Sequence, residues 1–180
     1  GTAGLAIGMA LTHPDRVSRL VLIDSLPDHD RERLASPLMQ RALNTSVPAW
    51  LARFGALFVG NRTMEAVLKE IIYDHTLVTP AVLDRSNRNR QREDMITPLM
   101  SLRDSLPLWE QHFAPRLKEI RHPTLILWGE QDRLFPPQVG RDLQTTIPQA
   151  RLIMIPEAGH IPQWEQPQMV NRHITEFLQP

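Results

Sequence analysis

Two short apolar segments in the last third of the chain, each followed by a polar turn, constrain the fold more than any other feature. Residues 123–129 (Pro-Thr-Leu-Ile-Leu-Trp-Gly) begin at a proline and end at a glycine, and residues 151–155 (Arg-Leu-Ile-Met-Ile) are broken by Pro156. Continuous apolar runs of this length are typical of strands buried on both faces, as in parallel sheets covered by helices. The chain is therefore predicted to be an α/β protein.

The turns after these two strands carry an acid and a histidine. Asp132 follows the first strand, and His160 ends the loop that follows the second. Because the carboxyl ends of parallel strands lie at one edge of a sheet, the two side chains are predicted to meet there. A histidine can transfer protons near neutral pH when an acid orients its other ring nitrogen. We predict that Asp132 does so over roughly 2.6 to 3.2 Å, and that Gly159 gives the loop freedom to turn the ring.

Taken singly, Asp132 could be a turn former and His160 a surface loop residue; their position after two buried strands favours a catalytic pair. Longer stretches around them resemble the C-terminal portion of the α/β-hydrolase family. These are Trp-Gly-Glu-Gln-Asp-Arg-Leu-Phe-Pro-Pro at 128–137 and Ile-Pro-Glu-Ala-Gly-His-Ile-Pro-Gln-Trp-Glu-Gln-Pro at 155–167. Residues 6–25 resemble the family's nucleophile helix and the strand after it. In this family the triad runs nucleophile, acid, histidine along the chain.

The resemblance implies a partial α/β-hydrolase fold, with parallel strands, flanking helices and an inserted helical cap. It implies hydrolase core at residues 1–26 and 116–180 and a cap at 27–115. By the family's spacing the nucleophile falls just before Gly1, and Thr2, the nearest hydroxyl, is interpreted as a helix-start residue. We therefore expect the chain to be a fragment that lacks its nucleophile, is inactive alone, and aggregates through an exposed sheet edge.

Aromatic residues of the predicted cap are candidates to line an apolar substrate pocket, although such a stripe is more often core. They are Trp50, Phe54, Phe58 and Trp109. A polar segment at 86–93 is interpreted as a solvated face or loop, with a basic ligand site as the sharper alternative.

Other elements follow from local patterns. Leu5 and Met9, together with Ile7, are predicted to form the apolar face of a thin first helix that ends before Pro14. Thr79 is the predicted N-cap of a later helix. Two further helices are predicted at 136–146 and 168–178.

Two questions stay open at this point. Asp24 also follows a buried strand, at residues 20–23, and some hydrolases of this fold carry their acid there, so it is the rival to Asp132; otherwise it is a turn residue.

A serine nucleophile would imply hydrolysis of a carboxylic ester or a related C–O or C–C bond. An aspartate would imply haloalkane dehalogenation or epoxide hydrolysis, and a third possibility is a non-enzymatic receptor that keeps the pocket.

Composition narrows the class further. The 20 basic and 20 acidic residues balance and form no basic block, which argues against nucleic-acid binding. The chain has no cysteine, which excludes disulfides and thiolate metal sites and fits a reducing, cytoplasmic location. No H-E-x-x-H spacing occurs, and no apolar run approaches the ~20 residues of a membrane span. We expect no metal or cofactor, a small apolar substrate, and leave the oligomeric state open.

Overall fold

A computed structural model describes residues 2–25, 60–92 and 104–179, together with the single residues 37, 40, 46, 48, 51 and 101. Within these parts, three parallel strands form one sheet in the order β1-β2-β3. The strands are β1 (Leu20–Ile23), β2 (Thr124–Gly129) and β3 (Ala150–Ile155). The predicted strands are thus confirmed, and β2 and β3 are neighbours with Thr124 opposite Ala150.

The central strand β2 is buried at every position, because helices cover both faces of the sheet. Ile126 and Trp128 point into a core shared with the first helix, whereas Leu125 and Leu127 point into a second core that includes Val170 of the last helix. Alternate residues of one strand therefore fill two different cores, which explains why this stretch is apolar throughout.

The α-helices whose bounds the structure gives are α1 (Thr2–Thr12), α2 (Asn61–Ile71), α3 (Pro80–Arg92), α4 (Pro137–Thr146), α5 (Pro162–Glu165) and α6 (Pro167–Leu178), and residues 104–108 are also α-helical. Shorter 3₁₀ turns lie at Pro14–Arg16, His75–Leu77 and Ala114–Glu119, and a π-helical turn lies at Trp109–Phe113. The helices predicted at 136–146 and 168–178 correspond to α4 and α6. None of the described helices has the length and apolar character that a membrane crossing requires.

The helix α3 illustrates how local sequence sets element ends. Its first residue, Pro80, has no N–H to lose, and the hydroxyl of Thr79 accepts a hydrogen bond from the backbone N–H of Val82 at 3.3 Å. Thr79 is therefore the N-cap, as predicted. The polar stretch that begins at Ser86 lies within this helix as far as Arg92, so it is a helical surface and not a loop.

The predicted apolar face of α1 is wrong for Leu5 and Met9 and right for Ile7. Leu5 is 69% exposed and Met9 41% exposed, whereas Ile7 is fully buried. Small residues lie on the inner side beside Ile7: a Cβ atom at Gly4 would lie 3.9 Å from the Trp109 ring, at ordinary van der Waals distance. Small residues let the helix axis approach its neighbours closely.

Candidate active site

The carboxyl ends of β2 and β3 bring Asp132 and His160 together. Nδ1 of His160 lies 2.9 Å from Oδ2 of Asp132, within the range predicted from the sequence. The Asp132 side chain has no exposed surface, whereas the His160 side chain keeps 21% of its surface exposed. The acid is thus buried, whereas part of the imidazole is accessible.

Backbone groups fix the orientation of the Asp132 carboxylate. Its second oxygen, Oδ1, accepts hydrogen bonds from the backbone N–H of Leu134 at 2.8 Å and of Phe135 at 3.0 Å. Such bonds from an aspartate to the residues just after it are a common local turn. Here they leave Oδ2 pointing at the imidazole, so the turn chemistry and the pairing with His160 use different oxygens of one side chain.

Phe135 packs beside the imidazole. The two ring centroids are 5.1 Å apart and the rings are tilted by 57°. The backbone carbonyl of Phe135 accepts a hydrogen bond from the indole N–H of Trp128 at 3.1 Å, so the buried strand β2 holds this turn in place. Sequence reasoning missed Phe135, although its place three residues after Asp132 lay inside the quoted motif.

Close packing, and not conformational freedom, explains the glycine before His160. None of the described glycines has a positive φ, which corrects the expected role of Gly159. A Cβ atom at Gly159 would lie 2.5 Å from the carbonyl oxygen of Ile71, and one at Gly129 would overlap the Gly159 carbonyl. The left-handed turn of this loop is made by Glu157, at φ 53°. The loop that contains Gly159 therefore packs closely between the end of β2 and the end of α2.

Asp24, the rival acid, bonds a different partner. Its Oδ1 accepts a hydrogen bond from the backbone N–H of Gly129 at 3.2 Å, and its Oδ2 is buried without a hydrogen-bond partner. Its backbone is in the left-handed region, at φ 40°, which aspartate tolerates better than most residues. Burial, and next the negative charge of Asp132, raise the pKa of Asp24 to about 9. Asp24 is therefore a neutral acid at pH 7, and the carboxylate that contacts His160 is that of Asp132.

Asp24, Asp132 and His160 also form the one acid–histidine cluster of the described residues that could hold a metal ion, with candidate ligand atoms within 4.8 Å of one another. Two of these atoms already form the Asp132–His160 hydrogen bond, and a protonated Asp24 is a poor ligand because metal binding needs deprotonated carboxylates. We therefore interpret the cluster as an acid–base group.

Of the four aromatic residues predicted to bind substrate, the structure describes Trp109. Trp50, Phe54 and Phe58 lie outside the described residues. Trp109 is 5% exposed and stacks on Phe113 with ring centroids 6.3 Å apart. It packs against α1 in the core of the protein, and a substrate-binding role for it stays a prediction.

A second side chain missed by sequence reasoning is Glu165. Its carboxylate accepts hydrogen bonds from the backbone N–H groups of Gly159, Tyr73 and Asp74. It too lies inside the quoted motif, five residues after His160. Its partners at 73 and 74 are more than 90 residues away in sequence, so no local pattern could indicate them.

A parallel sheet with helices on both faces, and an acid and a histidine at its carboxyl edge, define an α/β hydrolase. The family model of the alpha/beta hydrolase fold matches residues 3–167, and the chain belongs to this family. The family resemblance seen in the sequence and the predicted fold class are thereby confirmed.

The named relatives are hydrolases. The chain is 28% identical over 179 residues to a 2-hydroxy-6-oxo-6-phenylhexa-2,4-dienoate hydrolase of Burkholderia cepacia, covering 99% of this chain and 59% of the relative. A thermophilic esterase from Thermogutta terrifontis is 27% identical with a TM-score of 0.65, the match covering 98% of this chain and 61% of that one. A probable hydrolytic enzyme from Pseudomonas aeruginosa shares the fold at a TM-score of 0.72 and 24% identity, over 99% and 61% of the two chains. The chain thus spans about three fifths of the length of the proteins it matches.

Proposed function

We propose that the protein hydrolyses a carboxylic ester, or a carbon–carbon bond beside a ketone, with His160 as general base and acid and Asp132 as its orienting acid. The observation that carries this proposal is the 2.9 Å contact between Nδ1 of His160 and Oδ2 of Asp132. The Asp132 carboxylate is held by backbone N–H groups on its other oxygen, so it fixes the imidazole ring and its tautomer. The second ring nitrogen is then free to exchange protons.

The nucleophile in this proposal is a serine hydroxyl from the part of the family fold that precedes the matched region. His160 takes the hydroxyl proton while the oxygen bonds to the substrate carbonyl carbon, and the imidazolium then protonates the departing alkoxide or carbanion. In the second half-reaction His160 takes a proton from water, which attacks the acyl ester, and returns that proton to the serine oxygen. The products are an acid and an alcohol, or an acid and the protonated carbon fragment.

The names of the relatives supply the substrate classes. The Burkholderia cepacia relative is named for a dienoate that carries a ketone, and the Thermogutta terrifontis neighbour is an esterase. Both reactions begin with addition to a carbonyl carbon, so one His–Asp pair suits either. Within the described residues, no hydrogen bond or ion pair joins a cationic side chain of another residue to Asp132 or His160. We propose a mainly apolar small molecule as the substrate.

The test uses the protein expressed from its complete gene, with 4-nitrophenyl butyrate as the ester and 2-hydroxy-6-oxo-6-phenylhexa-2,4-dienoate as the ketone substrate. His160→Ala is expected to lower kcat by on the order of 10⁶-fold and Asp132→Ala by on the order of 10⁴-fold, because the acid orients the base and does not react. Asp15→Asn, in an exposed turn, is the matched control and should leave kcat unchanged.

Three results would contradict the proposal. Turnover of neither substrate by the wild-type protein would favour a receptor. Wild-type activity in His160→Ala would transfer the role of base elsewhere. A large loss in Asp24→Asn with a small loss in Asp132→Asn would make Asp24 the orienting acid. Labelling by a fluorophosphonate probe identifies a serine nucleophile, and its failure in an active protein would favour an aspartate.

A further inference from the structure

The carboxylate of Glu165 joins two segments that are far apart in sequence. Its Oε2 accepts a hydrogen bond from the backbone N–H of Gly159 at 2.7 Å. Its Oε1 accepts two more, from the N–H of Tyr73 at 2.7 Å and of Asp74 at 3.1 Å. One side chain thus holds the residue directly before His160 and the chain that leaves α2. We call residues 71–74 the α2 junction.

The contact between the loop and the α2 junction is reinforced in the opposite direction. The backbone N–H of His160 itself donates to the carbonyl oxygen of Ile71 at 2.8 Å. A Cβ atom at Gly159 would lie 2.5 Å from that oxygen and 3.0 Å from the Tyr73 nitrogen, so the two backbones are in direct contact. His160 is thereby fixed on its ring side by Asp132 and on its backbone side by the α2 junction.

Glu165 does not use its side chain to cap its own helix. The N–H of Glu165 bonds to the carbonyl of Ile161 within α5, while the carboxylate reaches out of that helix to the three N–H groups named above. Hydrogen bonds from N–H groups to a charged carboxylate are shorter and stronger than neutral ones, and 2.7 Å is at the short end of their range. The side chain is half-buried, which limits competition from water.

We propose that Glu165 is a positioning residue for the hydrolysis, because it holds the backbone of His160 at a fixed place relative to helix α2. This inference rests on the proposed role of His160 as general base. Glu165 does not contact the imidazole; it acts through Gly159 and the α2 junction. A displacement of about 1 Å in a reacting group can cost roughly 100-fold in rate. Loss of Glu165 is therefore expected to lower kcat by roughly 10- to 100-fold and to change KM little.

We call the hydrogen bonds from Glu165 to Gly159 on one side and to the α2 junction on the other the Glu165 bridge. Two variants test its two sides separately. Glu165→Ala removes all three bonds. Glu165→Gln keeps one acceptor oxygen, so it can satisfy either Gly159 or the α2 junction but must turn its NH₂ group toward the other; its kcat should fall between those of the wild type and Glu165→Ala. The matched control is Glu130→Gln, which removes one exposed carboxylate charge from the same edge of the sheet.

The experiment measures kcat and KM for the substrate that the wild-type protein turns over, in the protein expressed from its complete gene. Hydrogen exchange of the Gly159, Tyr73 and Asp74 amides is measured on the same samples. We expect faster exchange at all three amides in Glu165→Ala, at one side of the bridge in Glu165→Gln, and at none in the control. The fall in kcat should follow the same order.

Unchanged kcat per folded molecule in Glu165→Ala, with His160→Ala inactive, overturns this inference and leaves the proposed function standing. Wild-type activity in His160→Ala removes the proposed function itself, and the two failures are therefore distinct. A rise in KM with constant kcat also overturns it, because that pattern belongs to a substrate contact. If Glu165→Ala does not fold, Glu165→Gln decides: wild-type kcat in that variant, with faster amide exchange on one side, contradicts positioning.

Discussion

Replacing Asp24 with asparagine should stabilise the protein as the pH rises. Burial and the charge of Asp132 raise the pKa of Asp24 from 3.8 to about 9, so its carboxyl group is protonated in the folded protein over most of the accessible pH range. In the unfolded chain the same group ionises near its ordinary pKa. Asparagine has the same shape, is neutral in both states, and offers its amide oxygen to the N–H of Gly129.

The magnitude follows from proton linkage. Between pH 3.8 and pH 9 the folded protein binds one proton at Asp24 that the unfolded chain releases, so the free energy of unfolding falls as the pH rises. The contribution of Asp24 is fully present below pH 3.8 and is lost as the pH approaches 9. Each pH unit in this range lowers the free energy of unfolding by about 1.4 kcal/mol. At pH 7 the wild-type protein has therefore lost about 4 kcal/mol of unfolding free energy through Asp24, a loss that the asparagine variant does not undergo.

Urea unfolding at pH 5, 6, 7 and 8, followed by circular dichroism, measures this difference. Other titrating groups occur in both proteins and cancel, so the gain in unfolding free energy of Asp24→Asn over wild type should grow by about 4 kcal/mol from pH 5 to pH 8. Asp15→Asn, at an exposed carboxylate, is the control and should show a flat difference. A flat difference for Asp24→Asn as well would refute the neutral buried acid.

Three further perturbations test the pKa of Asp24, the packing of the His160 loop and the start of α3. Asp132→Asn removes a charge that raises the pKa of Asp24, so the ¹³C titration midpoint of Asp24 should fall; an unchanged midpoint would show that burial alone sets it. Gly129→Ala places a Cβ atom against the carbonyl of Gly159 and should destabilise the protein by roughly 1–3 kcal/mol or more, measured by urea unfolding; a neutral effect would mean that the His160 loop is mobile. Thr79→Ala removes the N-cap hydrogen bond of α3 and should lower the free energy of unfolding by about 1 kcal/mol in the same urea experiment. An unchanged free energy of unfolding would contradict the capping role of Thr79.

The sequence by itself determined the sheet and the position of the acid and the histidine. The apolar runs at 123–129 and 151–155 predicted β2 and β3. The expected burial on both faces holds for β2, which is buried at every position, whereas β3 is only partly buried. Parallel strands end at one edge of a sheet, and this geometry predicted the observed contact between Asp132 and His160. These inferences needed only local pattern and the geometry of a parallel sheet, together with the family resemblance of the motifs around them.

Only the tertiary structure decided how that pair is supported and what its neighbours do. Glu165 bonds Tyr73 and Asp74 across more than 90 residues, and the raised pKa of Asp24 depends on burial by other elements. The face that α1 buries was likewise decided by its neighbours: Ile7 is fully buried, whereas Leu5 and Met9 are exposed. Each of these depends on contacts between distant parts of the chain, and a periodic pattern or a short motif carries no information about which distant backbone will pack against it.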